Sequence, residues 1–260
     1  MVDNIPSNSQ LRLRVFAGPN GSGKSTVIKS IRETVINNRN LDFGTYINAD
    51  DITVALNEKR FSFKAYKLKP TKEDIVKFAE SSGLLSAQTD LLNLINSFAL
   101  ENSKVLLSDG IEADRLAQII ARFLREELLI SRRRFSFETV FSHESNLDIM
   151  KRAVEVGYKV YLYFVSTESP EINKYRVKLR VKQGGHTVPE DKIESRYYRS
   201  LGLLKEAADI AYQAFFFDNS IDNQPYKLVG HFKKIGSQKR WDNIEDSEIS
   251  NWFKKYYSAD

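Results

Sequence analysis

The chain has 260 residues, with 39 Lys+Arg against 34 Asp+Glu, a formal net charge of +5, and no cysteine. Disulfides, thiolate nucleophiles and Cys-ligated zinc are therefore excluded, and His143, His186 and His231 are too far apart in sequence to suggest a His-rich metal site. The longest apolar run, Val160 to Val165, is too short for a bilayer, and Met1-Val2-Asp3-Asn4 does not open a leader peptide, so the sequence predicts a soluble, cytoplasmic enzyme with no membrane attachment. The basic surplus leaves two partners open, a polynucleotide or a small anion.

Residues 1–10 read as a polar lead. Leu11-Arg12-Leu13-Arg14-Val15-Phe16 alternates apolar and basic residues and predicts a strand that runs into a glycine-rich turn. Val27, Ile28, Ile31 and Val35 then fall at helical spacing. Thr45-Tyr46-Ile47 predicts a second strand ending at Asn48-Ala49-Asp50. Segment 57–111 breaks the pattern and reads as a mostly helical insertion, with a helix over Ser86 to Leu100. Arg134-Phe135-Ser136-Phe137 predicts a third strand. Leu147, Met150 and Val154 mark a helix that Gly157 closes. Tyr158 to Val165 suits a strand buried on both faces of a parallel sheet, and Ala214 to Phe217 and Tyr226 to Phe232 predict two late strands. The aromatic residues after position 238 are expected to pack the tail onto the body. The expected fold class is α/β, a P-loop NTPase or kinase-like parallel sheet flanked by helices, one domain over 1–260 with the insertion at 57–111. In such sheets ligands sit at the carboxyl ends of the strands.

Gly18-Pro19-Asn20-Gly21-Ser22-Gly23-Lys24-Ser25-Thr26 matches G-x-x-x-x-G-K-[ST], the Walker A motif, between a predicted strand and a predicted helix. Its glycines let backbone N–H groups converge on phosphate oxygens, and the helix N-terminus adds positive potential. Lys24 reaches the β- and γ-phosphates and Ser25 offers a hydroxyl to Mg²⁺, so ATP and Mg²⁺ are the expected cofactors. Thr26 is placed either to bond an α-phosphate or to cap the helix. The chain has no Asn-Lys-x-Asp guanine reader and no ABC signature. Val105-Leu106-Leu107-Ser108-Asp109 imitates a Walker B strand but reads better as core. What remains is similar to a small phosphotransferase, with Asp50 at the end of the second strand as the carboxylate that accepts a hydroxyl proton. The alternative for Asp50 is a helix N-cap.

Ile47-Asn48-Ala49-Asp50, Phe135-Ser136-Phe137-Glu138-Thr139 and Gly157-Tyr158-Lys159-Val160 resemble the zeta-toxin family of P-loop kinases. So does the stretch from Asn173, Arg176 and Arg180 through Gly184-Gly185-His186-x-Val188-Pro189 to Arg196, Arg199, Ser200 and Leu201. The resemblance covers about 11–50 and 112–220 and is nearest to the chromosomal branch often labelled "predicted ABC-type ATPase". It implies transfer of the γ-phosphate of ATP to a sugar hydroxyl of a nucleotide sugar such as UDP-N-acetylglucosamine, in a toxin paired with an antitoxin protein. It makes Lys24 and Ser25 the ATP and metal residues, Asp50 the base, and Asn48, Glu138 and Thr139 the acceptor side. The founding toxins carry Glu-Gly-Thr-x-Arg where this chain reads Glu138-Thr139-Val140-Phe141-Ser142; the missing Arg opens the acceptor to another nucleotide sugar or a nucleoside compound.

Arg180 and Arg196 are the expected stabilisers of transferred charge, followed by Arg176 and Arg199 as nucleotide contacts. The alternative is a solvated basic face, since positions 176 and 180 share a helix side. His186 either contacts phosphate or base, or braces its loop. Asp218-Asn219-Ser220 closes a strand and either lies near the adenine or, as the better reading, forms a plain turn. Residues 173–199 hold eight Lys/Arg against three Asp/Glu, the whole surplus of the chain. That concentration favours a triphosphate and makes nucleic acid an unlikely partner. A nucleic-acid-associated P-loop NTPase is the alternative function, and a non-catalytic nucleotide-binding module the third.

Overall fold

In a computed structural model of the chain, the described residues are 10–36, 38–85, 88–184, 187–245 and 248–258. The polar lead at 1–9 and His186 lie outside them. The strands are β1 (Arg12–Ala17), β2 (Val35–Ile36), β3 (Arg39–Asn40), β4 (Thr45–Ile47), β5 (Phe98–Glu101), β6 (Lys104–Leu107), β7 (Phe135–Thr139), β8 (Lys159–Ser166), β9 (Gln213–Asp218), β10 (Lys227–Ile235) and β11 (Gln238–Trp241). The helices are α1 (Lys24–Glu33), α2 (Ala49–Asn57), α3 (Lys72–Ser81), α4 (Gln88–Ser97), α5 (Ala113–Ile130), α6 (Ser145–Glu155), α7 (Pro170–Lys182), α8 (Glu190–Gly202), α9 (Leu204–Ile210) and α10 (Asn251–Phe253). A 3-10 turn covers Phe63–Tyr66 and a π-helical turn Lys254–Ser258.

Seven strands form one sheet in the order β11-β10-β9-β8-β1-β7-β4. β8 runs parallel to both β1 and β9, whereas β10 and β11 are antiparallel additions, so the sheet is mixed and mostly parallel. The α/β class follows from strand–helix alternation. The antiparallel edge follows from the direct hairpin at Gly236, which needs no crossover helix. Among the described residues no helix is long and apolar enough to cross a membrane.

The chain divides into two compact units, residues 1–44 with 136–260, and residues 45–135. In the first unit, Val160, Leu162 and Phe164 of β8 are fully buried and α6 and α9 pack against that strand. The C-terminal tail lays Trp252 on Phe164 and sets Phe253 and Tyr257 against Phe216, as the aromatic content after 238 anticipated. β8 departs from expectation at its start: Lys159 and Tyr161 are half-buried rather than enclosed on both faces. Gly157 takes φ +89° just past α6, a conformation that favours glycine.

In the second unit, α2 and α3 pack on α5, whose Ile120, Phe123 and Leu124 are buried with Ile52, Leu56 and Ile75. Segment 57–111 holds the 3-10 turn, α3, α4 and a β5–β6 hairpin. The helix expected through Leu100 instead ends at Ser97. Asn102 and Ser103, at φ +50° and +67°, form the two-residue turn that reverses the chain there. The same hairpin takes Lys104–Leu107 out of the central sheet, so this is not a Walker B strand; it gives the core Val105, which is fully buried, while Lys104 is exposed and Leu106 and Leu107 half-buried.

Gly230 lies at a register shift opposite Phe216, and a Cβ there would meet the Phe253 Cζ at 2.8 Å and the Phe216 ring at 3.0 Å. Gly230→Ala should therefore overpack the tail cluster and cost about 1–3 kcal/mol, read as a lower urea midpoint at unchanged slope.

Candidate functional site

β1 feeds the glycine loop. Leu13, Val15 and Ala17 are fully buried, which fixes where the strand ends and the turn begins. Gly18 takes φ +143°, and a Cβ on it would lie 2.0 Å from the Val165 carbonyl oxygen. Gly21 and Gly23 take φ +76° and +88°; their missing side chains leave room for the Asn173 backbone and for the Asn219 amide. All three glycines are required by close approach as well as by φ.

Gly23 is also the N-cap of α1 and makes no side-chain cap bond. The cap alternative for Thr26 is thus not realised, and the N-terminus of α1 has no side-chain acceptor at the cap. Ser25 and Thr26 are exposed in that turn. Lys24 is 8% exposed; its Nζ donates to the Gly18 carbonyl at 2.9 Å and the Pro19 carbonyl at 3.1 Å. Glu138, at the end of β7, brings Oε1 to 4.0 Å from the same Nζ. The Asn20 Oδ1 and Ser22 Oγ atoms are buried in this loop with no protein hydrogen bond.

Two asparagines, Asn173 of the family-like stretch and Asn219 of the expected turn, hold the loop, a role that sequence reasoning gave to neither. The Asn219 amide donates to the Ser22 carbonyl at 2.9 Å, and the Asn173 amide donates to the Asn20 carbonyl at 2.6 Å. Asn173 in turn accepts from the Thr167 hydroxyl, and the Tyr197 hydroxyl of α8 donates to the Thr167 carbonyl at 2.6 Å. Burial pushes the Tyr197 phenol well above its ordinary range, so it stays a donor. Glu168, next along, accepts the backbone N–H groups of Asn251 and Trp252, which ties the tail to the same β8–α7 turn.

The expected arginines separate. Arg176 is committed to bracing: it donates to the Asn219 carbonyl at 2.6 Å and pairs with Asp222 at 2.5 Å. Arg180 is exposed on α7. Arg196 is half-buried on α8, and desolvation, with Arg199 one turn on, lowers its pKa. It has no acidic partner among the described residues. Arg199 is exposed and donates to the Ser195 carbonyl of its own helix. The Thr139 hydroxyl serves the β7–α6 turn, donating to Asn146 Oδ1 at 3.3 Å and accepting the Phe141 N–H at 3.2 Å.

Asn48 and Asp50 belong to the second unit. The Asn48 Oδ1 accepts the Asp50 N–H at 2.8 Å and caps α2, so the cap alternative falls to Asn48. The Asp50 carboxylate stands exposed in the first turn of α2. Among the described residues no cluster of three His, Cys, Asp or Glu side chains could hold a metal ion by itself.

Comparison with known proteins gives a fold and little more. No family model matches. An uncharacterized protein of Haemophilus influenzae is 41% identical over 63 residues, which is 24% of this chain and 45% of that protein. The crystal structure of AvrRxo1-ORF1:-ORF2 with ATP superposes with a TM-score of 0.51 at 15% identity, over 96% of this chain and 64% of that one. The AvrRxo1-ORF1:AvrRxo1-ORF2 structure with sulphate ions gives 0.50 at 16%, over 94% and 65%. The PezAT chromosomal toxin-antitoxin system of Streptococcus pneumoniae gives 0.48 at 13%, over 98% and 81%. The chain thus spans under half of the curated relative and under two thirds of the AvrRxo1 chains, and it shares their α/β fold.

The Asn219 clasp is testable without any ligand. Asn219→Leu leaves the Ser22 carbonyl without its amide partner and should destabilise the chain by about 1–3 kcal/mol, measured by urea unfolding. An unchanged midpoint would mean the clasp contributes nothing.

Proposed function

We propose that the chain is an ATP- and Mg²⁺-dependent phosphotransferase of the zeta-toxin type. It acts on a hydroxyl of a small molecule, a nucleotide sugar or a nucleoside compound, and works as the toxin of a toxin–antitoxin pair. The observation that carries this reading is the glycine loop: three glycines at positive φ, an α1 N-terminus with no side-chain cap, and a buried lysine whose ammonium lies on the loop's own carbonyls. That donor set fits a polyphosphate. The buried Asn20 Oδ1 and Ser22 Oγ mark a polar cradle rather than an apolar turn.

Lys24 and the loop N–H groups would hold the β- and γ-phosphates, and the exposed Ser25 hydroxyl would take one position on Mg²⁺. A magnesium ion carried on nucleotide phosphates needs few protein ligands, so the lack of a carboxylate cluster among the described residues is compatible with it. When bound, the nucleotide and its metal supply the phosphoryl group and neutralise the charge on its oxygens. Glu138 sets its carboxylate 4.0 Å from the Lys24 ammonium and helps to aim it. Arg196 is suited to meet the transferred charge, because a half-buried guanidinium beside another cation is relieved by an anion. Arg180 is assigned the same task, and Arg199 and Arg176 the nucleotide side, Arg176 acting through Asn219. Asp50 is the base that accepts the acceptor's hydroxyl proton at its carboxylate, with Asn48, Glu138 and Thr139 on the acceptor side. The printed names of the structural neighbours, one with ATP and one a toxin-antitoxin system, agree with this reading.

The test is transfer of labelled γ-phosphate from ATP, with Mg²⁺, to a panel of nucleotide sugars and nucleosides. Acceptor-dependent transfer should fall about 10²–10⁴-fold in Asp50→Asn while the melting temperature holds. No transfer to any acceptor, or full transfer by Asp50→Asn, would sink the reading.

A further inference from the structure

The half-open start of β8 belongs to a larger surface of the first unit. Strand register places Arg14, Tyr161, Gln213, Lys233 and Arg240 side by side across β1, β8, β9, β10 and β11, and places Arg12 beside Lys159. Residues paired across neighbouring strands point to the same face. One face therefore gathers five cations, Arg12, Arg14, Lys159, Lys233 and Arg240. None of them forms an ion pair among the described residues. The five strands add no acidic side chain to this face; Asp242, just past β11, is held by His231 Nδ1 at 2.6 Å. On the opposite face the contrast is direct, since Lys239 pairs with Asp209.

The next row on the same face is aromatic. Phe16, Tyr163, Phe215 and His231 stack in succession, with ring centroids 4.8, 4.9 and 4.3 Å apart. Cations and rings interleave: the Arg14 guanidinium lies 4.6 Å from the Tyr161 ring centre, and the Lys159 ammonium 4.5 Å from that of Tyr212. Arg14 is only 4% exposed, yet its guanidinium is held by neutral groups, the Asp42 carbonyl at 2.9 Å and the Tyr163 hydroxyl at 3.2 Å. A buried cation held by neutral acceptors adds positive potential to the face, against which the strands themselves set no carboxylate and Asp242 is the acid at its margin. Phe16 and Tyr163 are buried, Phe16 against Phe43, so the open part of the face is its other end, with Tyr161, Phe215 and His231 half-buried and Lys233 and Arg240 exposed.

We propose that this sheet face binds single-stranded nucleic acid, its phosphates along the cations and its bases against the outer edges of the ring row. A flat basic sheet with interleaved aromatics suits exposed bases and a flexible backbone, whereas a duplex hides its bases. A second copy would bring the same positive face and be repelled, and the centres of protein–protein interfaces are depleted in charge. The expectation against nucleic acid came from counting charge along the chain. The sheet joins positions 12 to 240, which no sequence window can do.

The experiment is fluorescence anisotropy of a labelled 20-nucleotide oligouridylate with the full chain, without ATP, across a salt series. Binding should be saturable and weaken with salt, with the log–log slope falling by about 0.7 for each phosphate contact removed. Lys233→Glu/Arg240→Glu should weaken binding at least tenfold and leave both phosphotransfer and melting temperature at wild-type values. Tyr161→Leu should weaken it several-fold at unchanged salt slope. Lys178→Ala/Lys182→Ala, on α7, should leave it unchanged. If the glutamate pair unfolds, Lys233→Gln/Arg240→Gln replaces it with the same expected direction. No binding at 50 mM salt, binding indifferent to the Lys233/Arg240 variants, or full competition by polyglutamate, which would mean an acidic protein partner, each overturns the proposal.

Discussion

The structure of the first unit depends on one close approach. The backbone of the loop after β1 passes so near the end of β8 that no side chain fits between Gly18 and the Val165 carbonyl. With that contact made, Gly21 lies against the backbone of Asn173 and Gly23 against the Asn219 amide. Gly21 and Gly23 thereby face the residues that grip the carbonyls just before them. Asn173 and Asn219 hold two of its carbonyls, Arg176 holds Asn219, and Tyr197 holds Thr167 behind Asn173. The cradle is fixed by contacts from the ends of β8 and β9, the first half of α7 and the middle of α8, so its donors are oriented before any ligand arrives. Preorganisation of this kind lowers the reorganisation that phosphate binding would otherwise require.

This bracing changes what the basic segment 173–199 means. Its charge looked like a single pool. In the structure Arg176 pairs with Asp222 and Lys174 with Glu194, and these two cations are spent on holding elements together. Arg196, half-buried next to Arg199, is the cation left in a setting where an added anion helps most. Elsewhere the balanced charge of the residues outside 173–199 hides a second segregation, between the two faces of the sheet. Lys239 faces Asp209 on one side, and five cations face no acid of their own strands on the other.

Much of the fold was legible because its signals are local. The strand–turn–helix around Lys24 is a contiguous pattern, and the helix closed by Gly157 and the buried run from Val160 to Val165 carry their own periodicity. The β5–β6 hairpin was missed because its turn, Asn102-Ser103, lacks the glycine that usually announces positive φ. The site was legible only in part. Lys24 sits in a motif, but the Asn219–Ser22 bond joins residues 197 positions apart and has no spacing to read. The bracing bonds of Arg176 were illegible for the same reason, since Asp222 and the Asn219 carbonyl lie more than forty positions away in the chain. Lys159 and Tyr161 sit where a strand buried on both faces was expected; nothing within β8 signals that its neighbours leave one face open.

The central claim is that the loop around Lys24 is a preformed polyphosphate site. Calorimetric titration of the full chain with Mg·ATP tests it most directly, alongside Lys24→Ala. The account predicts one nucleotide per chain with a micromolar-to-millimolar dissociation constant, weakened at least tenfold by the substitution. No binding by the wild-type chain, or equal binding by Lys24→Ala, would contradict it.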